Sequence, residues 1–169
     1  MSTFIYETER LQLRVWSDED VEAVKAFWGN EEVMKYSLGA TPHDKLIQVI
    51  QAYRKLHEER GLSVYAVIEK ESSQVIGACG FNPSQLDTDQ LELIYHFAKT
   101  SWGKGYATEA ARACVQLAKD NGGVRRIHAS ADLHNKGSLL VLEKAGFTYL
   151  GLQWYEDTGQ EEPTYELVL

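Results

Sequence analysis

Trp102-Gly103-Lys104-Gly105-Tyr106-Ala107-Thr108 lies between a β-rich run, Leu91 to Ala98, and a run of helical periodicity, Thr108 to Asp120. The first run is apolar apart from Glu92 and His96, which marks a central strand. The second carries Ala111, Cys114, Val115 and Ala118 on one side and stops at Gly122-Gly123. A strand-to-helix turn holding Gly103 and Gly105 tolerates φ > 0 and lets backbone N–H groups approach a ligand. Unpaired N–H groups at the helix start carry, with the helix dipole, about half a positive charge. That suits a pyrophosphate, and Lys104 adds a cation beside it. Two familiar phosphate loops are excluded by spacing. A Walker loop needs four residues between its first glycine and Gly-Lys, and Thr108 stands where a dinucleotide fingerprint needs its third glycine.

Upstream of this turn, Leu11, Leu13 and Val15 alternate with Gln12 and Arg14 as a half-buried strand. Ser17 followed by Asp20 predicts a capped helix start, with Val21, Val24 and Phe27 at helical spacing until Gly29-Asn30. Thr41-Pro42 predicts a second start, for a helix running to Arg60. Ser63 to Glu69 and Gln74 to Phe81 are strands joined by the polar turn Glu71-Ser72-Ser73. Downstream, Arg126 to Ala131 is a strand and Ser138 to Ala145 a helix stopped by Gly146. Thr148 to Tyr155 and Thr164 to Val168 close the chain as strands around Asp157-Thr158-Gly159. This order predicts an α/β layered domain with mixed strand directions, and neither a repeat nor a linker divides it.

A length of 169 residues fits one domain, at roughly 150 residues per domain. Hydrophobic residues at 44% argue against disorder. The net charge of −8 disfavours nucleic acid as a general partner and suits a cationic substrate, although excess acid equally serves solubility. Cys79 and Cys114 fall in apolar patterns and read as core. Met1 to Glu7 lacks the basic start and apolar run of a leader, and no stretch approaches about 18 consecutive apolar residues. No membrane partner is expected, and the expected residence is cytoplasmic. His128 and His134 form no helical H-x-x-x-H pair, so no metal is expected.

The turn resembles that of the GNAT N-acetyltransferases, Gln/Arg-x-x-Gly-x-Gly/Ala, with Gly105 and Ala107 at matching positions. Trp102 replaces the Gln/Arg. In that departure Trp102 through Ala110 is similar to the branch of ribosomal-protein N-terminal acetyltransferases, which favours Trp-Gly-x-Gly-Tyr-Ala-Thr-Glu-Ala. Asn135-x-x-Ser138 followed by Glu143-Lys144-x-Gly146-Phe147 resembles the family's later helix, and Glu9-Arg10-Leu11-x-Leu13-Arg14 the opening of this branch. The resemblance implies one acetyltransferase domain over residues 1–169. Its fold would be a mixed, mostly antiparallel sheet of about seven strands with a splayed parallel pair, flanked by about four helices. It also implies acetyl-CoA as co-substrate and a primary amine as acceptor, a protein or peptide N-terminus before a polyamine or aminoglycoside. A monomer and a homodimer are both compatible.

Amide formation from a thioester needs the thioester held, its carbonyl polarised and the amine neutral. On the resemblance, the strand ending Tyr95-His96-Phe97-Ala98 is splayed from Ile127 to Ser130, and a free N–H near Phe97 holds the thioester oxygen. Residues 102–108 hold the pyrophosphate, and Asn135 meets the pantetheine arm. Candidates for the base are Glu92, His96, Glu156 and Asp157. Glu92 ranks first because an acid in an apolar strand is conspicuous, with a hydrogen-bonded structural acid as its alternative. The thiol-protonating Tyr of many family members corresponds to Leu142 here; Ser138 could replace it, directly or through water, with a structural serine and a thiolate that leaves unassisted as the alternatives. Lys136 and Lys144 could meet outer phosphates; Trp154, Tyr155 and Tyr165 could line the acceptor cleft beside the loops Lys35 to Thr41 and Glu156 to Gly159. The missing Tyr also admits a silent acyl-CoA sensor.

Overall fold

Strand pairing begins one element earlier than alternation predicts. In a computed structural model describing residues 4–83 and 89–169, Phe4–Glu7 (β1) pairs antiparallel with Leu11–Arg14 (β2). Residues 1–3, where the reading of the N-terminus begins, and residues 84–88 lie outside the described residues. The strands Val64–Glu69 (β3), Gln74–Pro83 (β4) and Gln90–Phe97 (β5) follow, then Arg126–Ser130 (β6), Thr148–Tyr155 (β7) and Gln160–Val168 (β8). They form one sheet of eight strands rather than about seven, in the order β1-β2-β3-β4-β5-β6-β8-β7. Every neighbouring pair is antiparallel except β5 and β6.

The predicted first helix is broken. Ser17 and Asp20 do form a capping box, and Asp20 also takes a 2.7 Å ion pair from Arg14. The regular helix, however, is only Val21–Val24 (α1), because Ala26 and Phe27 donate to Ala23 and Val24 in tighter i to i+3 turns. These turns bring Phe27 and Trp28 against Trp16 and Tyr53 in an aromatic cluster. Asn30, which reads as a stop, also starts a helix: its Oδ1 accepts from Val33 N and caps Glu31–Met34 (α2). Leu46–Arg60 (α3), Tyr106–Asn121 (α4) and Lys136–Lys144 (α5) complete five α-helices among the described residues, one more than expected.

The sheet divides two cores. On one face Leu11, Phe81, Leu93 and Phe97 pack with Cys114 and Ala118 of α4 and Leu142 of α5; on the other Val64, Ala66 and Ala98 pack with Val24, Leu46 and Ile50. Cys79 and Cys114 are buried free thiols, as their apolar settings predict.

Pairing of β5 with β6 covers only Gln90 to Glu92 against Arg126 to His128. Beyond it β5 keeps β4 as a partner through Phe97, while β6 keeps β8 through Ser130. The two parallel strands therefore open as a V, which is the splay the resemblance implies. Pro163, which delays the predicted start of the last strand, sits just past the end of the β6 pairing. It still lies opposite Leu152 of β7, and a missing N–H is tolerated on the β6 side, where the ladder has ended.

Candidate active site

A cleft of about 790 Å³ fills the V and runs through to the opposite side of the sheet. At one end lies the glycine turn. Gly103 and Gly105 have φ of 76° and 81°, and Gly105 is the N-cap of α4, so the first N–H groups of that helix face outward. Trp102, Gly103, Gly105, Tyr106, Ala107 and Thr108 line the cleft here; the exposed Lys104 does not. Its backbone carbonyl instead accepts from Arg10 Nη1 at 2.8 Å. Arg10 also pairs with Glu109 at 2.7 Å and lies 4.4 Å over the Tyr106 ring. The opening Glu9-Arg10-Leu11 signature thus has a physical role, since Arg10 clamps the turn to the start of α4. Trp102 ties it to the strand, donating from Nε1 to Phe97 O at 2.9 Å.

In the middle of the cleft the free edge of β5 presents its backbone. Ala98 N donates to Ile76 O of β4 at 2.9 Å, so the two-residue alternation turns the N–H groups of Phe97 and Tyr95 toward the V. Ala98 is therefore corrected as a binding residue: its N–H is committed to the sheet and its side chain is buried in the core of α1 to α3. Asn135 caps α5, with Oδ1 accepting from Ser138 N at 3.2 Å, which leaves its amide nitrogen for a ligand. Asn135, Ser138, Lys136 and Lys144 all border the cleft. Leu142 is fully buried, so no acid enters from that position.

The far end is acidic. Tyr36, Ser37 and Leu38 from the loop after α2 face Asp157 and Thr158 from the β7–β8 turn, with Asp132 between them. Glu162 of β8 is only 5% exposed and borders the cleft, accepting from Ser130 Oγ at 3.3 Å and Gln160 Nε2 at 2.9 Å. Sequence reasoning missed it, because the last strand reads as beginning only at Thr164; a start four residues earlier alternates Gln160, Glu162 and Thr164 onto one face.

Glu92 and His96 share a face of β5, as the period-2 reading predicts, and it is the face of Ala98 and Ile94, opposite the α4 core. His96 borders the cleft, with Nε2 3.3 Å from Ser37 Oγ, and burial pulls its pKa down to about 4, so it is neutral at pH 7. Glu92 is not among the lining residues. Burial raises its pKa, and the carboxylates of Asp157 and Glu162 add to the rise. A raised carboxyl pKa makes ionisation in the folded state unfavourable, so its contribution to stability is present at low pH and lost as pH rises through the raised value. Glu92→Gln is accordingly expected to raise the melting temperature at pH 7 and to lose that advantage near pH 4. A melting profile that matches the wild type at both pH values would contradict this electrostatic setting.

Three further candidates lie away from the cleft. Tyr165 is core, Tyr155 Oη bonds to Thr164 Oγ1 at 2.8 Å, and Trp154 is 62% exposed on the edge strand β7. Glu156 is exposed and does not line the cleft. Among the described residues no cluster of three His, Cys, Asp or Glu could hold a metal ion, and no helix is long and apolar enough to cross a membrane.

Residues 10–148 match the family model of the acetyltransferase (GNAT) domain. The chain is 32% identical over 148 residues to the uncharacterized N-acetyltransferase p20 of Bacillus licheniformis, covering 86% of this chain and 83% of that one. Its structure superposes on a GNAT-family acetyltransferase from Bacillus anthracis with a TM-score of 0.85 at 25% identity, covering 98% of both chains. It also superposes on RimL, a ribosomal L7/L12 alpha-N-protein acetyltransferase in complex with coenzyme A, with a TM-score of 0.83 at 18% identity and 98% coverage of both.

Proposed function

We propose that this chain, which belongs to the GNAT acetyltransferase family, transfers acetyl from acetyl-CoA to the free N-terminus of a protein or peptide. The observation that carries the reading is the continuity of the cleft, from a backbone anion site at α4, past the free β5 edge, to an acidic mouth between two loops. At the first end the N–H groups of Gly103 and of residues 105–108 receive the pyrophosphate and Lys136 and Lys144 the outer phosphates. The Phe97 N–H polarises the thioester carbonyl and stabilises the oxyanion that forms there.

At the second end Asp132 and Asp157 draw in an ammonium group, and the buried Glu162 is placed to accept its proton, directly or through a water. Neutral His96 adds no positive charge, and Lys35, which also lines the mouth, is outnumbered by Asp132, Asp157 and Glu162. Leu38, 72% exposed beside this mouth, offers an apolar contact to a peptide side chain. A peptide acceptor is also in keeping with RimL, a protein alpha-N-acetyltransferase whose fold this chain shares. Ser138, at the start of α5, faces the leaving sulfur.

Thiol release from acetyl-CoA should be followed with peptides bearing free or blocked N-termini, with polyamines and with aminoglycosides. Turnover confined to free-N-terminus peptides is expected. Turnover of polyamines or aminoglycosides alone would move the acceptor to small cations, and tight CoA binding without turnover of any amine would make the protein a sensor.

A further inference from the structure

The late helix lacks a tyrosine facing the sulfur, yet a tyrosine reaches Ser138 from the opposite wall. Tyr95 of β5 places Oη 2.8 Å from Ser138 Oγ and 2.9 Å from the Ser138 carbonyl oxygen. Both residues border the cleft. Hydrogen counting shows what this triangle can do. A carbonyl oxygen only accepts, and a phenol carries one hydrogen. When Tyr95 donates to the carbonyl, the Ser138 hydroxyl must donate to Tyr95 Oη. When Tyr95 donates to Ser138 Oγ, the Ser138 hydrogen is freed to point elsewhere. The pair thus has two satisfied arrangements that differ by two hydroxyl rotations.

We propose that Tyr95 is a positioning residue that holds the Ser138 hydroxyl in the cleft and, by switching its own donation from the carbonyl to Oγ, releases the Ser138 hydrogen to the CoA sulfur as it leaves. The inference rests on the reading of Ser138 as the residue facing that sulfur. In the step, the carbon–sulfur bond breaks with its electron pair passing to sulfur, and Ser138 donates a hydrogen bond to the thiolate. No proton changes owner: burial holds the Tyr95 phenol above its ordinary pKa, so it stays protonated and does not become the acid. Ser138 lies in the first turn of the nine-residue α5, where the helix dipole also favours an anion. Without the phenol, a serine hydroxyl in a helix is free to fold back on a carbonyl of its own helix.

The test uses the full chain and CoA itself, and needs no acceptor. Thiolate absorbance of bound CoA is followed against pH. A hydrogen bond to a charged group moves its titration by about 1 to 2 pH units. The bound thiol is therefore expected to titrate about 1 unit below free CoA in the wild type, and at the free value in both Tyr95→Phe and Ser138→Ala, with CoA affinity within about twofold. The double variant should go no further than Ser138→Ala, and the exposed Tyr149→Phe should match the wild type. Wild-type titration in Tyr95→Phe with a shift in Ser138→Ala overturns the role of Tyr95 and leaves that of Ser138 standing. Wild-type titration in both removes Ser138 from the sulfur and the inference with it. Should Tyr95→Phe not fold, Ser138→Thr decides: retaining a hydroxyl, it must keep the low titration, and titration at the free value overturns the proposal.

Discussion

Replacing Gly105 by Val is expected to lower the affinity for CoA by about 100-fold or more while leaving a cooperatively folded protein. Gly105 has φ of 81° at the N-cap of α4 and is the residue from which the first N–H groups of the helix are aimed. A β-branched residue there is strained by about 1 to 3 kcal/mol, and the turn relieves the strain by rotating those N–H groups away from the pyrophosphate. A loss of about 2.7 kcal/mol corresponds to about 100-fold in affinity. A Cβ at Gly105 would lie 3.4 Å from Arg10 Nη2, an ordinary contact, so the loss is expected from the strained turn and not from a clash with the clamp. Titration calorimetry with CoA, beside a thermal melt, reads both effects. A folded Gly105→Val variant that binds CoA as the wild type does would remove the pyrophosphate from this turn.

Gly80→Ala should instead destroy the fold. A Cβ at Gly80 would lie 2.2 Å from Ser63 O and 2.6 Å from Val64 Cα, backbone atoms of the neighbouring strand. That strand has no room to retreat. Trp16 Nε1 donates to Val64 O at 2.9 Å, Ser63 Oγ donates to Tyr53 O at 2.7 Å, and β2 pairs along its other edge. Overpacking against a fixed backbone costs about 3 kcal/mol or more, a large share of the roughly 5 to 15 kcal/mol that stabilises a domain. Urea denaturation is expected to show a sharply lowered midpoint, or expression without soluble protein. An unchanged midpoint would mean that β3 and β4 can separate at no cost.

These two glycines were not equally legible. Gly105 declared itself because it falls between a strand pattern and a helix pattern, where local sequence explains why φ must be positive. Gly80 lies within the strand Gln74 to Phe81 and nothing local marks it, since the reason for its missing side chain is the Ser63 backbone, 17 residues away in the chain. The same distinction separates Ser17, a helix cap recognisable from Asp20 three residues on, from Arg10, whose partners Lys104 and Glu109 come from the far half of the chain.

By itself the sequence determined the order of most elements, the glycine turn between strand and helix and, through the resemblance of residues 102–110, the family. The elements and the turn rest on periodicity, capping and backbone freedom, which act between near neighbours, and the family rests on the resemblance of a contiguous string. Tertiary structure alone showed that Glu162 meets the cleft beside Asp157, and that Ser138 has Tyr95 for a partner. Glu92 was the conspicuous acid on its strand, but the splay of β5 from β6 leaves it behind the cleft and brings Glu162 forward. Ser138 gains Tyr95 from the opposite wall. Proton donors and acceptors work over about 3 Å, and such distances across a sheet are set by strand register and splay, which no local pattern encodes.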